Sequence, residues 1–254
     1  MNELLIKVKE KREFSGLPDS VILRVLNFKQ IKNKVDSEKI KMARSFLRKY
    51  FGVFLTNKVM KGTDESVLNN HISSKKRDYE LFYSKIGSVV GNGFSSIIDF
   101  GCGMNGFSYS VMKKEFGKIK YLGIEATKQL CELQNNFFKK NNFNGEVVWG
   151  DLLEQEFVKN TIKMTDTPRL IFLFQTIDAM ENIEPNSSKS FLLNIEKMMG
   201  DKDVLVISNS TKSISGKNNF KIQRRWLENF IDDNFKLVNM FELFDEMFLV
   251  AKHI

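Results

Sequence analysis

Cysteine and histidine are scarce in this chain, which contains two of each among 254 residues. Cys102, Cys131, His71 and His253 are too few and too scattered to form a structural zinc site, so we expect no bound metal. The same scarcity argues against a disulfide framework and fits a reducing compartment. We therefore expect a cytoplasmic protein.

Long apolar runs are missing too. No stretch of the sequence reaches the roughly 18 consecutive apolar residues that a membrane-spanning helix needs. The N-terminus also lacks the apolar core of a signal peptide. A hydrophobic content of 42% is nevertheless sufficient for a full core. The absence of a long apolar run predicts no membrane partner. The length allows one large domain, or one domain with a smaller companion.

Acidic residues are under-represented in only one part of the chain. Residues 1–92 contain 19 Lys and Arg against 10 Asp and Glu, whereas the rest contains 20 against 21. A general compositional bias toward lysine would raise its content in both parts. The net charge of +8 therefore originates in the N-terminal third. This asymmetry indicates an N-terminal domain that binds a polyanion.

The N-terminal third has the periodicity of helices. Apolar residues recur at helical spacing in three segments, GLPDSVILRVL (16–26), EKIKMARSFLRKYF (38–51) and HISSKKRDYELFYSKIGSVV (71–90). On the second segment, Lys41, Arg44 and Arg48 lie on the polar face. We predict that these three side chains contact the phosphates of the polyanion.

The sequence GNG at 91–93 ends the helical part and marks a domain boundary. We predict a basic helical domain over residues 1–92 and a second domain over residues 93–254. In the second domain, short β-rich runs alternate with helical segments, which predicts a parallel sheet covered on both faces. The expected strands are SIIDF (96–100), KYLGI (120–124), EVVWG (146–150), RLIFLF (169–174), DVLVIS (203–208), FKLVNMFE (235–242) and EMFLVAK (246–252).

The last two runs are separated by a short turn, which only an antiparallel pair can use. The expected fold is therefore α/β, with a seven-stranded, mostly parallel sheet that ends in an antiparallel hairpin. Five parallel strands followed by such a hairpin resemble the plan of class I methyltransferases. A Rossmann dehydrogenase more often continues with another strand and helix.

A glycine loop follows the first strand in the stretch SIIDFGCGMNGFSYSVM (96–112). Glycines here allow a ligand to approach the backbone at the carboxyl edge of the sheet. By count, Gly101, Gly103 and Gly106 complete a dinucleotide fingerprint. The same loop is equally typical of a site for S-adenosylmethionine (SAM), and the glycines alone do not separate the two.

Two acidic residues further along the chain favour SAM. Glu125 ends the second strand, where a carboxylate can accept both ribose hydroxyls, and Asp151 follows the third strand. From that position Asp151 can accept a hydrogen bond from the adenine amino group. A dinucleotide site requires an acid only at the second strand. Together with Asp99 at the end of the first strand, these residues predict SAM as the cofactor.

Two further segments carry a more specific resemblance. VISNSTKSISGK (206–217) and HISSKKR (71–77), taken with FGCGMN (100–105), resemble motifs of the aminoglycoside-resistance methyltransferases that act on 16S ribosomal RNA. That family transfers a methyl group to N7 of a decoding-site guanine and carries a basic N-terminal helical domain. The matched residues of the later motif are Ser208, Thr211, Lys212, Ser213, Ile214 and Gly216, and His71 matches the family's histidine.

The resemblance implies a role for each matched residue. The SAM candidates are Gly101, Cys102, Gly103 and Asn105 at the methionine end, Glu125 at the ribose, Asp151 and Leu152 at the adenine, Arg77 at the carboxylate, and Asp99 and Gln175. Lys75 is a second candidate for the SAM carboxylate or for RNA, and Lys212 and Lys217 would approach RNA phosphates. The implied substrate is 16S rRNA or the 30S subunit, bound by a monomer, and the implied consequence is aminoglycoside resistance.

The chain departs from the family where the target base is expected. Gly106 replaces a proline, Gln175 replaces a lysine, and Asn209 and Ser210 replace a Phe-Pro pair. We predict a base pocket formed by Gln175, Ser208, Asn209 and Ser210, without a catalytic acid or base. Guanine N7 has a free lone pair, so positioning would be sufficient. Alternatives are a different base, a non-RNA acceptor, and a catalytically inactive RNA-binding relative.

Overall fold

The computed structural model of the protein describes residues 2–70, 75, 77–211 and 225–254. Its helices are α1 Asn2–Lys9, α2 Arg12–Ser15, α3 Asp19–Leu26, α4 Lys29–Lys32, α5 Asp36–Tyr50, α6 Asn57–Met60, α7 Tyr79–Val90, α8 Tyr109–Phe116, α9 Lys128–Lys140, α10 Gln155–Ile162, α11 Ile177–Ile183, α12 Ser187–Glu196 and α13 Arg225–Asn234. Its strands are β1 Ser96–Phe100, β2 Lys120–Glu125, β3 Gly145–Trp149, β4 Arg169–Phe174, β5 Val204–Ser210, β6 Lys236–Leu243 and β7 Glu246–Lys252. Short 3₁₀ helices span Gly52–Phe54, Glu65–Asn70 and Asn105–Ser108.

The seven strands form one sheet in the order β3-β2-β1-β4-β5-β7-β6. Strands β1 to β5 pair in parallel, and β7 pairs antiparallel with both β5 and β6. The predicted seven-stranded sheet with its antiparallel C-terminal hairpin is therefore confirmed. Every residue of β1 and β4 is buried, which explains why these strands are nearly continuous apolar runs. Within the described residues, no helix combines the length and the apolar character needed to cross a bilayer.

Helices cover both faces of the sheet. On one face, side chains of α7, α8 and α9 pack with alternate strand residues such as Phe172 and Val206. On the other face, α10 to α13 pack with the residues between them, including Ile171 and Leu205. Because side chains alternate along a strand, this division assigns each residue at a strand end to one face.

The first five helices have a core of their own. This N-terminal core contains eleven buried apolar side chains between Leu5 and Leu47 and has no member from the sheet. Helix α7 instead packs on the sheet through Phe82 and Tyr83. It begins at Tyr79, where Asp78 caps it by accepting from the backbone nitrogen of Leu81 at 3.1 Å. The expected earlier start, with Ser73 or Ser74 as the cap, is wrong, because Lys75, Arg77 and Asp78 are not helical; residues 71–74 themselves lie outside the described residues.

The N-terminal core docks on the carboxyl edge of β2 and β3. The carbonyl oxygen of Gly16 accepts from Trp149 Nε1 at 2.8 Å and from the backbone nitrogen of Lys128 at 3.0 Å. Trp149 Nε1 also donates to the carbonyl of Ala126 at 2.8 Å. A Cβ atom on Gly16 would lie 2.1 Å from Gln129 Oε1, so glycine permits this close approach. The N-terminal helices therefore lie beside the sheet edge where a cofactor binds in open α/β folds.

Candidate active site

The glycine loop after β1 has a backbone that only glycine adopts readily. Gly101 and Gly103 have φ angles of +68° and +54°. The backbone nitrogens of Gly101 and Cys102 both donate to the carbonyl of Ile124, at 2.8 and 3.1 Å, which fixes the loop to the end of β2. A Cβ atom on Gly101 would lie 2.6 Å from Thr176 Oγ1. Conformation and space thus both require glycine at position 101.

The third glycine of the loop serves packing. A Cβ atom on Gly106 would lie 2.6 Å from Gln134 Oε1 and 2.9 Å from a ring atom of Phe138, both on α9. The fully buried Gln134 accepts from the nitrogen of Gly106 at 2.9 Å and donates to the carbonyl of Gly103 at 2.8 Å. Gln134 was not among the predicted site residues, although an amide on the apolar face of an amphipathic helix is a signal for such a contact. Gly106 therefore lets α9 hold the loop.

Asp99 lies beneath this loop with one oxygen unpaired. Its Oδ2 accepts from Asn105 Nδ2 at 2.6 Å and from the Tyr121 hydroxyl at 2.9 Å. Its Oδ1 is buried and has no hydrogen-bond partner among the described residues. Burial raises the pKa of Asp99 to about 6, so the carboxylate is mostly ionised at neutral pH. A buried, ionised and unpaired oxygen is satisfied best by a cationic donor, such as the ammonium group of a methionine moiety.

Glu125 ends β2 in a fixed orientation. Its Oε2 accepts from the nitrogen of Gly103 at 3.1 Å, and its Oε1 accepts from the nitrogen of Thr127 at 2.8 Å. Burial raises the pKa of this carboxyl group. Each oxygen of a carboxylate can accept about two hydrogen bonds, so each retains capacity for a hydroxyl donor. This geometry suits a ribose diol.

Asp151 follows β3 and contacts the N-terminal helices. Its Oδ1 accepts from the nitrogen of Leu153 at 2.9 Å, and its Oδ2 accepts from Ser20 Oγ at 2.6 Å and is ion-paired with Arg24. Three of about four acceptor positions are thus used, and the remaining one is on Oδ1. Neither α3 residue was a predicted site residue. Leu152 is half-buried and packs on the core beneath α10.

Arg77 forms a buried ion pair with a residue at the start of β7. Its Nε and Nη2 donate to Glu246 at 2.9 and 2.8 Å, and both side chains are nearly inaccessible, 6% and 4% exposed. Ser208 Oγ donates to the same carboxylate at 2.7 Å. The guanidinium also lies 4.9 Å from the ring centre of Phe82 and 5.4 Å from that of Phe174. The contact with Glu246 uses two of the five N–H donors of Arg77.

The predicted base-pocket residues lie where β4 and β5 end. Gln175 has a left-handed backbone, with φ of +55°, and its nitrogen donates to the carbonyl of Ser208 at 2.9 Å. Strand β5 continues through Asn209 to Ser210, two residues beyond the expected end, because both pair with β7. Alternation places Ser208 and Ser210 toward the face under α7 and Asn209 toward the opposite face. The structure thus brings Gln175 and Ser208 together, while Asn209 faces away from Ser208.

The predicted RNA-binding residues differ in their surroundings. Lys41 and Lys75 are exposed. Arg48 pairs with Glu13 at 2.7 Å but keeps 53% of its side chain exposed, and Arg44 contacts groups of α1 and the residue after it. Six residues with an expected role or a motif match lie outside the described residues, namely His71, Lys212, Ser213, Ile214, Gly216 and Lys217.

Strand order, hairpin and glycine loop together define the class I methyltransferase fold. All of this chain superposes on the 16S rRNA methylases RmtF, in complex with S-adenosyl-L-homocysteine, and RmtB. For RmtF the TM-score is 0.78, with 15% identity and 98% of that chain covered. For RmtB the TM-score is 0.76, with 15% identity and 98% of that chain covered. For an rRNA methylase from Escherichia coli the TM-score is 0.75, with 16% identity and 99% of that chain covered. No family model and no curated protein matches the sequence. The predicted fold is confirmed.

Proposed function

We propose that this chain is a SAM-dependent methyltransferase that modifies 16S ribosomal RNA. The observation that carries the proposal is the superposition on 16S rRNA methylases over 100% of the chain. Many enzymes share the class I fold, but the agreement here includes the N-terminal helices, which lie outside the sheet. The excess of basic residues in the N-terminal third supports the same conclusion.

The residues around the glycine loop fit SAM, which supplies a methyl group on a positively charged sulfur. Asp99 Oδ1 would accept from the ammonium group, Glu125 from the ribose and Asp151 from the adenine amino group. The side chain of Cys102 contributes no nucleophile, because burial raises the pKa of its thiol well above the ordinary value. Its sulfur faces the interior, 3.8 Å from Gln134 Nε2. Cys102 would serve through its backbone.

We propose that catalysis depends on positioning. N7 of guanine carries a lone pair in the neutral base, so the chain need not remove a proton before transfer. Gln175 and the adjacent end of β5 would hold the extruded base in line and exclude water. The left-handed backbone of Gln175 supports this role, because strained non-glycine residues concentrate at functional sites. The resemblance of the motifs at 71–77 and 206–217 supports N7 of a decoding-site guanine as the proposed target.

The N-terminal helices would provide most of the RNA contacts within the predicted domain of residues 1–92. The separate N-terminal core supports assigning this role to α1–α5, while α7 covers the sheet. Lys29, Lys32 and Lys41 are exposed on α4 and α5. We expect replacing all three by glutamate to weaken 30S binding and to reduce its salt dependence, by about 0.7–0.9 in the log–log slope per lost phosphate contact. Filter binding at several salt concentrations measures both quantities.

Methyl transfer to purified ribosomal subunits tests the proposed function. The protein is incubated with labelled SAM and 30S subunits, and label in 16S rRNA is the expected result. Chemical cleavage at 7-methylguanine followed by primer extension then identifies the nucleotide. A modified adenine would contradict the N7 assignment, and label in a small molecule or protein would favour a non-RNA acceptor. Asp99→Asn provides a control that preserves the shape of the cofactor site.

A catalytically inactive RNA-binding relative is the second candidate. It is favoured by Gln175, Asn209 and Ser210, which depart from the family motifs where the base is expected. This candidate predicts binding of SAM and of 30S subunits without transfer.

We also propose that the enzyme is a monomer in the cytoplasm and that it confers aminoglycoside resistance. Light scattering tests the first point, and fractionation of cells tests the second. An increased minimal inhibitory concentration in a sensitive strain that expresses the protein tests the third. Unchanged drug sensitivity despite methylated 16S rRNA would contradict the proposed role in resistance and leave the proposed methyltransferase activity unaffected.

A further inference from the structure

Helix α3 of the N-terminal core contacts the carboxylate that follows β3. Ser20 and Arg24 are four residues apart and thus lie on one face of this helix. Ser20 Oγ donates to Asp151 Oδ2 at 2.6 Å, and Arg24 Nη1 contacts the same oxygen. The side chain of Asp151 is only 6% exposed. The two residues of α3 thus fix a nearly inaccessible carboxylate of the sheet domain.

Arg24 also contacts two further carboxylates of the sheet domain. Its Nη2 lies 2.7 Å from Glu154 at the start of α10, and its Nε lies 3.3 Å from Glu184 after α11. Burial alone would lower the pKa of Arg24, but its attraction to Asp151 and Glu154 raises it. One guanidinium therefore joins the segments after β3 and after β4. These segments flank the carboxyl edge where the proposed cofactor binds.

We infer that Ser20 and Arg24 are positioning residues of the cofactor site. They occupy Asp151 Oδ2 and so orient the carboxylate, which leaves the free acceptor position on Oδ1 to receive the adenine amino group. The inference rests on the proposed function. It assigns part of cofactor recognition to the helical domain, so that docking of this domain and affinity for the adenine end are coupled.

A purely structural contact makes a different prediction. If α3 only holds the two domains together, loss of Arg24 lowers the affinity for every nucleoside ligand by the same factor. If Arg24 orients Asp151, its loss affects only the ligand that carries the amino group. S-nebularinyl-L-homocysteine has a hydrogen atom in place of the amino group of S-adenosyl-L-homocysteine and is otherwise the same molecule. The ratio of the two dissociation constants therefore separates the two roles.

Isothermal titration calorimetry with both ligands provides the test. A donor on a charged acceptor contributes about 1.5 kcal/mol or more, so the wild-type protein should prefer the adenosyl ligand by about tenfold or more. In Arg24→Met and in Ser20→Ala we expect this ratio to fall, to near unity in the first variant. Arg24→Lys should retain part of it. Lys9→Met is the matched control. Lys9, on α1, pairs with Asp19, which lies on α3 with Ser20 and Arg24, and it does not contact Asp151.

Each outcome decides between the two roles. A lower ratio in Arg24→Met with an unchanged ratio in Lys9→Met supports the inference. An unchanged or increased ratio in both α3 variants overturns it. Equal affinity of the wild-type protein for the two ligands also overturns the inference, but it does not contradict SAM as the cofactor. Failure of the wild-type protein to bind either ligand overturns the inference and the proposed cofactor together. Ser20→Ala removes a single hydroxyl and keeps the test valid if Arg24→Met does not fold.

Discussion

Replacing Glu246 by glutamine removes the charge that neutralises Arg77 and keeps the shape of the side chain. The pair is bidentate, at 2.9 and 2.8 Å, and neither side chain is more than 6% exposed. The same carboxylate accepts from Ser208, so the substitution leaves a buried guanidinium and a hydroxyl with a weaker acceptor. We expect Glu246→Gln to be strongly destabilising.

The size of the effect follows from the burial of the pair. Removing one partner of a buried ion pair costs about 3–5 kcal/mol. The amide oxygen can still accept from Arg77, which favours a loss of about 3 kcal/mol. A chain of this size loses about 2–4 °C of melting temperature per kcal/mol. We therefore expect the melting temperature to fall by roughly 6–12 °C.

Urea unfolding and thermal melts of six proteins test this estimate: the wild type, Glu246→Gln, the single variants Arg77→Met and Glu246→Leu, their double variant, and Glu80→Gln. The double variant Arg77→Met/Glu246→Leu replaces both charges by apolar groups and should be more stable than either single variant. Glu80→Gln is the matched control, because Glu80 forms a 2.7 Å pair with Lys114 in which both side chains are at least 60% exposed. Its expected loss is below about 1 kcal/mol. A loss in Glu246→Gln no larger than that of the control would refute the reasoning, as would strict additivity in the double variant.

Burial raises the pKa of Asp99 to about 6, above its unfolded value, so the folded protein binds the proton more tightly and its stability should rise as the pH falls from 7 to 4. Urea unfolding should show this gain, about 2 kcal/mol between pH 7 and 4, in the wild type relative to Asp99→Asn, and parallel profiles of the two proteins would contradict it. Gly101→Ala, whose Cβ would lie 2.6 Å from Thr176 Oγ1, should lose about 1–3 kcal/mol of stability and bind S-adenosyl-L-homocysteine at least about tenfold more weakly in calorimetry. Wild-type affinity of Gly101→Ala for S-adenosyl-L-homocysteine would show that the glycine loop does not line the cofactor site. Gln175→Gly should remove the strain of a left-handed backbone and increase the free energy of unfolding by about 1 kcal/mol, while the rate of methyl transfer to 30S subunits falls. An unchanged transfer rate would exclude Gln175 from the base pocket.

The strands of the sheet could be predicted closely from the sequence. Each observed strand begins and ends within two residues of the expected run. Buried parallel strands read as apolar runs bounded by turn residues, and this signal is local. The largest difference is at β5, which continues to Ser210. Its extra residues are polar, and they belong to the strand only because β7 pairs with them.

The short N-terminal helices could not be predicted in the same way. α2 and α4 contain four residues each, too few to show a hydrophobic period. Their positions depend on Phe14 and Ile31, which are buried in the N-terminal core. Tertiary packing, rather than local propensity, determines where such helices form.

The site residues also differ in whether they could be predicted from the sequence. Asp99, Glu125 and Asp151 could be located because parallel strands bring their carboxyl ends to one edge. The partners of Asp151 and Arg77 come from residues more than 100 positions away in the sequence. An arginine or glutamate reads the same in a sequence whether it faces solvent or an interior partner. Arg24 and Glu246 therefore required the three-dimensional structure.

Strand β7 lies between β5 and β6 although it follows both in the sequence. On the ribosome, β6 thus emerges before the strand that connects it to the sheet. The edge of β5 remains unpaired until Glu246–Lys252 has been synthesised, and at about 5–20 residues per second the delay is short. Arg77 also acquires its counter-charge only then. A nascent chain arrested before Glu246 is expected to bind chaperones at the open β5 edge and to fail to retain S-adenosyl-L-homocysteine.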